Sequence, residues 1–424
     1  MKVLMYGWEF PPYVSGGLGT ACFGISRGLI DNNVDITFVL PTKKGKGINS
    51  QVNIIGADEV PLVNNIGKLR EQLKMINIDS LGSYSPYYTT IANRQYLKHF
   101  SSEVPTRKGQ AGILEFTGNY GENLLAEVMN YSLAGESLSY YEDFDIIHAH
   151  DWLTFPAGVL TKNASDKPLI VHVHATEFDR SGDNINRDVY NIEKYGMDNA
   201  DKIIAVSCYT KNIIVRHYGI NPDKIEVIHN AVNKERQFER YGIKKNIDDK
   251  IVLYLGRVTM QKGPDYFMAA ANQVLKKVKN VRFVMAGNGD LLPQMIYKMA
   301  EQRIADRFHF TGFLRGADVE RMYAMSDLYV MPSVSEPFGL TPFEALVYDI
   351  PIIISKQSGA SEILKHAICV DFWDVNRLAD CIVAILNSEE LSREIVKECQ
   401  EEIKGVEWNT AGEKIKSIYC RLAA

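Results

Sequence analysis

Short, β-branched apolar runs recur along this chain, with longer segments of helical periodicity between them. The first run, Val3 to Gly7, stops before Pro11 and Pro12. It is followed by Val34 to Leu40, Asp145 to Ala149, Leu169 to Val173, Lys202 to Val206 and Ile225 to Ile228. The alternation breaks over a polar stretch rich in Lys, Arg and Asn, which predicts a linker between about Ala231 and Asp249. It resumes with Ile251 to Leu255, Val281 to Ala286, Phe308 to Thr311, Leu328 to Met331 and Ile350 to Ile354. Strands that alternate with helices pair in parallel, because the helix carries the chain back to the start of the next strand. Each half therefore predicts a doubly wound, Rossmann-like α/β domain. The two domains are expected to face each other across a cleft, with ligands at the carboxyl ends of the strands.

The predicted boundaries are 1–235 for an acceptor-side domain and 248–405 for a second domain, with 406–424 as a closing helix. That last segment carries Ala411, Ile415, Ile418, Tyr419 and Leu422 at helical spacing after Trp408, so it has an apolar stripe to dock. Between Pro41 and Gly118 the pattern is irregular, with Gly, Asn, Ser and the run Tyr84-Ser85-Pro86-Tyr87-Tyr88. It reads as a peripheral insertion over about 42–118.

Composition narrows the classes. The 424 residues are 46% apolar and 23% charged, which excludes disordered and fibrous chains and suits two or three domains of roughly 150 residues. Lys and Arg number 47 against 52 Asp and Glu, a net charge of −5, so no general field draws nucleic acid or an anionic membrane. The six cysteines are scattered, with no CxxC pair and no zinc spacing, and no run approaches the roughly 18 apolar residues that span a bilayer. The expectation is a cytoplasmic protein with reduced thiols and no integral membrane segment.

Anion binding must then be local. Gly16-Gly17-Leu18-Gly19 lies between the first strand and a helical pattern from Thr20 to Ile30, so exposed backbone N–H groups and the helix dipole would favour negative charge there. The loop is neither a GxGxxG nor a Walker motif. The second half opens with a strand followed by Gly256-Arg257 and then Lys262-Gly263, two cations able to clamp a diphosphate as fork and point charge. In Ser335-Glu336-Pro337-Phe338-Gly339-Leu340-Thr341-Pro342-Phe343-Glu344, the Thr341-Pro342 pair reads as an N-cap and first turn. The N–H groups of Gly339, Leu340 and Thr341 would then meet a phosphate, Glu344 the hydroxyls of a ribose, and Glu336 those of a sugar.

His148-Ala149-His150-Asp151-Trp152 and His172-Val173-His174-Ala175-Thr176 each close a predicted strand, so their last residues are expected at the cleft. Alternate strand residues share a face, which suits two H-x-H pairs to a metal. With no third and fourth ligand recognisable, buried hydrogen-bonded histidines are the preferred reading, and no metal is assigned. Asp143-Phe144-Asp145 precedes a strand and reads as solvated.

Together these residues resemble the retaining GT-B glycosyltransferases, within the broad glycogen and starch synthase relatives. The resemblance rests on Trp8-Glu9-Phe10-Pro11-Pro12, Ser15-Gly16-Gly17-Leu18, His148-Ala149-His150-Asp151-Trp152, Leu255-Gly256-Arg257, Lys262-Gly263, Ala286-Gly287-Asn288-Gly289 and the E-x7-E run Glu336 to Glu344. These extend over nearly the whole chain in the family's order. The resemblance implies that Arg257 and Lys262 bind the donor diphosphate, Glu344 the ribose, Glu336 the transferred sugar, and Gly16 and Gly17 the diphosphate from the other domain. It further implies that His174 lies beside the reacting sugar, that Asp151 faces the acceptor, and that the last helix crosses back onto the first domain.

The implied reaction moves glucose from UDP-glucose or ADP-glucose to the 4-hydroxyl of an α-1,4-glucan with retention of configuration, needing no cofactor or metal. Where many bacterial and plant synthases carry Lys in a K-x-G-G loop this chain has Val14, which weakens an ADP-glucose preference and makes UDP-glucose a serious candidate. The competing reading within the class is a retaining transferase for a cell-surface, lipid-linked or small-sugar acceptor. A glycan phosphorylase would be longer and need a pyridoxal-phosphate lysine, and a non-catalytic glucan-binding protein would not need the donor cluster.

Overall fold

The computed structural model describes residues 1–12, 16–43, 52–63, 76, 113–121, 123–234, 245 and 247–423. Val14 and Ser15, the Tyr84 to Tyr88 run, most of the expected insertion and the middle of the expected linker lie outside them. The chain forms two compact units. Unit 1 comprises Met1–Phe178, Gly182–Asn230 and Trp408–Ala424, and unit 2 comprises Asp179–Ser181 and Ala231–Glu407.

Unit 1 is built on a seven-stranded parallel sheet: β1 (Lys2–Tyr6), β2 (Asp35–Leu40), β3 (Asn53–Gly56), β4 (Ile146–His150), β5 (Leu169–Val173), β6 (Lys202–Ala205) and β7 (Ile225–Val227). Their spatial order is β3-β2-β1-β4-β5-β6-β7. The central strands β4 and β5 are buried along their whole length, and β1 from Val3 onward, as expected when helices cover both faces of a parallel sheet. Alternate side chains divide between two cores. Leu4, Tyr6, Ile147, Ala149 and Val171 pack on one face. Val3, Met5, Ile146, Ile170 and Ile204 pack on the other, with Cys22, Ile25 and Leu29 of the helix Gly17–Asp31 and Ile415, Ile418 and Tyr419 of the helix Trp408–Ala423.

These last two helices approach closely because glycine faces glycine. A Cβ on Gly28 would stand 2.0 Å from the Trp408 carbonyl oxygen, and one on Gly412 would stand 2.3 Å from the Gly28 carbonyl. Lys416 Nζ donates to the Asn32 carbonyl at 2.7 Å, which satisfies a carbonyl at the end of the first helix.

Unit 2 carries β8 (Lys250–Leu255), β9 (Val281–Ala286), β10 (Phe308–Gly312), β11 (Leu328–Met331), β12 (Ile352–Ser355) and β13 (Ile368–Val370), again all parallel, in the order β10-β9-β8-β11-β12-β13. In both sheets the winding reverses beside the unit's first strand, between β1 and β4 and between β8 and β11. A crevice opens at such a point because the flanking connections leave on opposite faces.

The structure amends three readings. Asn53–Gly56, inside the expected insertion, is an edge strand paired to β2, so that part of 42–118 belongs to the sheet. Ile368–Val370 adds an edge strand beside β12 that was not anticipated. Both runs are too short for a clear periodicity. The first helix starts at Gly17 rather than Thr20, with Gly16 in extended backbone as its N-cap and no side-chain cap hydrogen bond. Among the described residues no helix is long and apolar enough to cross a membrane.

Replacing Gly28 by Val would force the two helices apart at their crossing, an overpacking that costs about 1–3 kcal/mol. Thermal unfolding should show a lower midpoint for Gly28→Val, and an unchanged midpoint would contradict the close crossing.

Candidate active site

In unit 2 the winding reversal brings together the ends of β8 and β11, and with them Arg257, Lys262 and Glu336. After β8 the chain passes Gly256 and Arg257 into a tight turn, Met260–Lys262, that closes on Gly263 at φ +65°. A Cβ on Gly263 would lie 2.1 Å from the Pro332 carbonyl oxygen, so glycine is required here both for the left-handed backbone and for contact with the β11 end. The Gln261 carbonyl accepts the Val334 N–H at 2.9 Å and the Ser335 N–H at 3.4 Å, locking the two loops together. Gln261 Oε1 also accepts from Arg257 Nη2 at 3.1 Å, which aims an otherwise exposed guanidinium.

Lys262 Nζ donates to Glu336 Oε2 at 2.5 Å, and the Ser333 hydroxyl donates to the same oxygen at 3.1 Å. The Glu336 side chain is only 8% exposed and that of Lys262 22%, so this is a largely desolvated ion pair rather than a surface one. Glu336 is fixed along its backbone too. Its N–H donates to the Gln357 carbonyl and its carbonyl accepts from Gly359, both at 2.9 Å, after β12.

Glu336 leads through Gly339, at φ +91°, into the short helix Thr341–Val347. Here the sequence expectation needs correction: Leu340, not Thr341, is the N-cap, and no side chain caps the helix. The Thr341 hydroxyl instead accepts from Tyr329 Oη at 2.6 Å, because a buried phenol needs a partner and the threonine is its neighbour. Among the described residues the N–H groups of Gly339, Leu340 and Thr341 have no hydrogen-bond partner. Glu344, in the first turn, accepts from Tyr323 Oη at 2.8 Å. Burial raises the Glu344 pKa, and the Tyr323 hydrogen bond partly offsets this by favouring the ionised form.

In unit 1 the corresponding reversal lies between β1 and β4. Gly16 and Gly17 are exposed, and among the described residues a Cβ on either would meet nothing within 4 Å. Asp151 follows β4 in a left-handed conformation, φ +59°, and its Oδ1 accepts the His174 N–H at 2.7 Å and the Ala175 N–H at 3.4 Å. It thus holds the loop that carries His174.

His174 Nε2 lies 2.9 Å from His150 Nδ1. Burial holds the His174 pKa down to about 3, so the imidazole is neutral at physiological pH. The preferred reading of the H-x-H pairs as hydrogen-bonded holds for one nitrogen in three of the four rings. His148 Nδ1 meets the Tyr419 hydroxyl at 2.5 Å, while His148 Nε2, His150 Nε2, His174 Nδ1 and both nitrogens of His172 are buried without a partner among the described residues.

Arg257, Lys262, Glu336 and the Gly339 to Glu344 segment are thus gathered in unit 2, and Gly16, Gly17, Asp151 and His174 lie in unit 1. Sequence reasoning missed the supports: Gln261, Ser333, Tyr323 and Tyr329. Gln261 stood between the two cations, but the tyrosines gave no local signal because they reach the site only through the fold. A groove of about 740 Å³ lined by Lys2, Asn33, Asp35, Thr37 and Asp143 opens at the amino ends of β1 and β2, the wrong end of the sheet for this chemistry.

The family model described as glycosyl transferases group 1 matches residues 234–402, and that for glycosyltransferase family 4 matches residues 115–236. A glycosyltransferase of Methanocaldococcus jannaschii is 26% identical over 385 residues, covering 87% of this chain and 84% of the relative. A glycogen synthase of Mycobacterium tuberculosis is 22% identical over 428 residues, covering 99% of this chain and 94% of the relative. Among solved structures, a sucrose-phosphate synthase from Thermosynechococcus elongatus superposes with a TM-score of 0.74 at 17% identity, over 100% of this chain and 99% of that one.

The raised pKa of Glu344 means that the folded protein holds this proton more tightly than the unfolded chain, so its contribution to stability is present at low pH and is lost as pH rises through the raised value. Tyr323→Phe removes the hydrogen bond that favours ionisation and should move the carboxyl midpoint further up. A ¹³C NMR titration of glutamate carboxyls reads this directly, and a midpoint that stays or falls would contradict the assigned contact.

Proposed function

We propose that this chain, a glycosyltransferase of the GT-B type, is a glycogen synthase-like retaining enzyme that moves glucose from a nucleoside diphosphate to the 4-hydroxyl of an α-1,4-glucan. The observation that carries the reading is the buried Lys262–Glu336 pair at the winding reversal of unit 2, with Arg257 beside it and Glu344 one helical turn away from a row of unpartnered N–H groups. A diphosphate needs cations and N–H donors, a ribose needs a carboxylate to accept its hydroxyls, and a hexose needs a second one; these groups offer each.

In the proposed step the bond between the sugar C1 and the diphosphate oxygen breaks, and the acceptor oxygen bonds to C1 on the same face. The acceptor proton passes to the departing phosphate oxygen. Arg257, Lys262 and the Gly339, Leu340 and Thr341 N–H groups stabilise the charge developing on the leaving group, so transfer proceeds without a metal. Glu336 accepts from hydroxyls of the transferred sugar and Glu344 from those of the ribose. In unit 1, Gly16 and Gly17 present N–H groups to the diphosphate. His174 acts as a neutral hydrogen-bond partner of the sugar rather than as a base. Asp151, assigned by the sequence to the acceptor, contributes through the His174 loop that it holds. The donor is UDP-glucose or ADP-glucose, and Val14, standing where many bacterial and plant synthases carry a lysine, makes UDP-glucose a serious candidate; the work of the enzyme is cytoplasmic.

A second reading, a transferase with a cell-surface, lipid-linked or small-sugar acceptor, draws support from a relative named as a D-inositol 3-phosphate glycosyltransferase of Corynebacterium diphtheriae, 24% identical over 302 residues. Radiolabelled transfer to glycogen from UDP-glucose and ADP-glucose in parallel separates the two. Incorporation from one donor, falling at least about 100-fold in both Glu336→Ala and Lys262→Ala, is the expected result. Donor binding by the folded protein with no transfer to glycogen would overturn the glucan assignment in favour of another acceptor.

A further inference from the structure

The four histidines at the ends of β4 and β5 form a cluster that the transfer chemistry does not use as a whole. His148 and His150 are two residues apart on one strand and therefore share a face, and His172 is the direct partner of His150 on the neighbouring strand. Three imidazoles are thus presented on one side of adjacent strands. The His148 and His150 rings stack 4.4 Å apart between centroids at 24°, His148 and His172 5.4 Å at 4°, and His150 and His172 5.3 Å at 27°, so sharing one ion requires the rings to turn about Cβ–Cγ out of this stack. One ligand atom from each of the three lies within 4.8 Å of the others, and all three residues are at most 1% exposed.

The hydrogen bonding has a direction. His148 and His150 each engage Nδ1, with the Tyr419 hydroxyl and with His174 Nε2, and among the described residues each leaves Nε2 buried without a partner, while both nitrogens of His172 are without one. A buried polar atom left unsatisfied destabilises the fold, and a cation shared by these nitrogens would remove that cost at several atoms together. The pattern also matches how metal-binding histidines are held, with one ring nitrogen on the ion and the other tied to an outer partner. Burial keeps all three imidazoles well below their usual pKa, so they are already in the neutral form that binds metal.

We infer that His148, His150 and His172 form a binding site for a divalent transition metal in the core of unit 1. Three neutral imidazoles without a carboxylate suit zinc and its neighbours rather than magnesium or calcium. His148 Nε2, His150 Nε2 and one nitrogen of His172 are the ligands, and Tyr419 and His174 are the outer partners. The ion ties β4 to β5 and fixes the His150 ring. His150 Nδ1–H then donates to His174 Nε2, which leaves the His174 proton on Nδ1.

Purified full-length protein, stripped with a chelator and titrated with zinc against a chromophoric chelator, tests this. The wild type should bind one equivalent, His172→Phe, which keeps a flat ring in the stack, should bind at least about tenfold more weakly, and Cys22→Ser should bind like the wild type. Cobalt in the same site should show tetrahedral ligand-field bands and no thiolate charge-transfer band. Absence of saturable zinc binding by the folded wild type would overturn the proposal, as would equal binding by His172→Phe. A thiolate band, or binding lost in Cys22→Ser, would overturn it in favour of the rival set Cys22, His150 and His174. The wild-type cobalt spectrum and the Cys22→Ser titration decide the matter even where His172→Phe fails to fold.

Discussion

A carboxylate with 8% exposure can stay ionised inside a protein only if its charge is answered nearby, and in unit 2 the Lys262 ammonium at 2.5 Å supplies that answer for Glu336. Much of the site's construction serves this pair. Gly263 lets the Lys262 turn close on the Pro332 carbonyl, the Gln261 carbonyl ties that turn to the chain after β11, and Ser333 adds a second donor to the same Glu336 oxygen. Removing one member of such a pair leaves the other uncompensated, at a cost of about 3–5 kcal/mol. The pair is thus held by contacts from three separate segments of unit 2, the fixed geometry that the proposed stabilisation of a departing diphosphate requires.

The two units use burial for opposite ends. In unit 2 the buried Glu336 carboxylate is paired with Lys262, and the exposed Arg257 fork precedes the turn that carries that lysine. In unit 1 four imidazoles are kept neutral by the apolar face that the first and last helices cover. Tyr419, on the last helix, reaches the first of those rings, so the helix that closes the chain is also part of the packing beneath His174.

Most of the sheet architecture was legible in the sequence because strands covered on both faces write continuous apolar runs, and Leu169 to Val173, Val281 to Ala286 and Leu328 to Met331 appear in the structure with those bounds. The edge strands Asn53–Gly56 and Ile368–Val370 did not show, since a short strand buried on few sides leaves little pattern. In the site, Arg257 and Lys262 follow β8 beside glycines and Glu336 follows β11, and their types and spacing are what made them candidates in the sequence. Their supports come from elsewhere in the chain: Tyr323 from the helix Ala317–Met325 and Tyr329 from β11 itself. Only the three-dimensional winding brings those phenols to Glu344 and Thr341, and this is also why the Thr341 hydroxyl faces Tyr329 instead of capping its own helix.

The central claim is that Lys262 serves both Glu336 and the donor diphosphate. Calorimetric titration of UDP and of ADP into wild type, Lys262→Met and Glu336→Gln tests it most directly. The account predicts that Lys262→Met weakens binding of the preferred nucleotide by at least about tenfold, as loss of a charged hydrogen bond to a phosphate should. Glu336→Gln should leave that affinity unchanged or tighter, because the ammonium is freed for the phosphate. Equal losses in both variants, or none in Lys262→Met, would make the pair a structural bridge only and contradict the account.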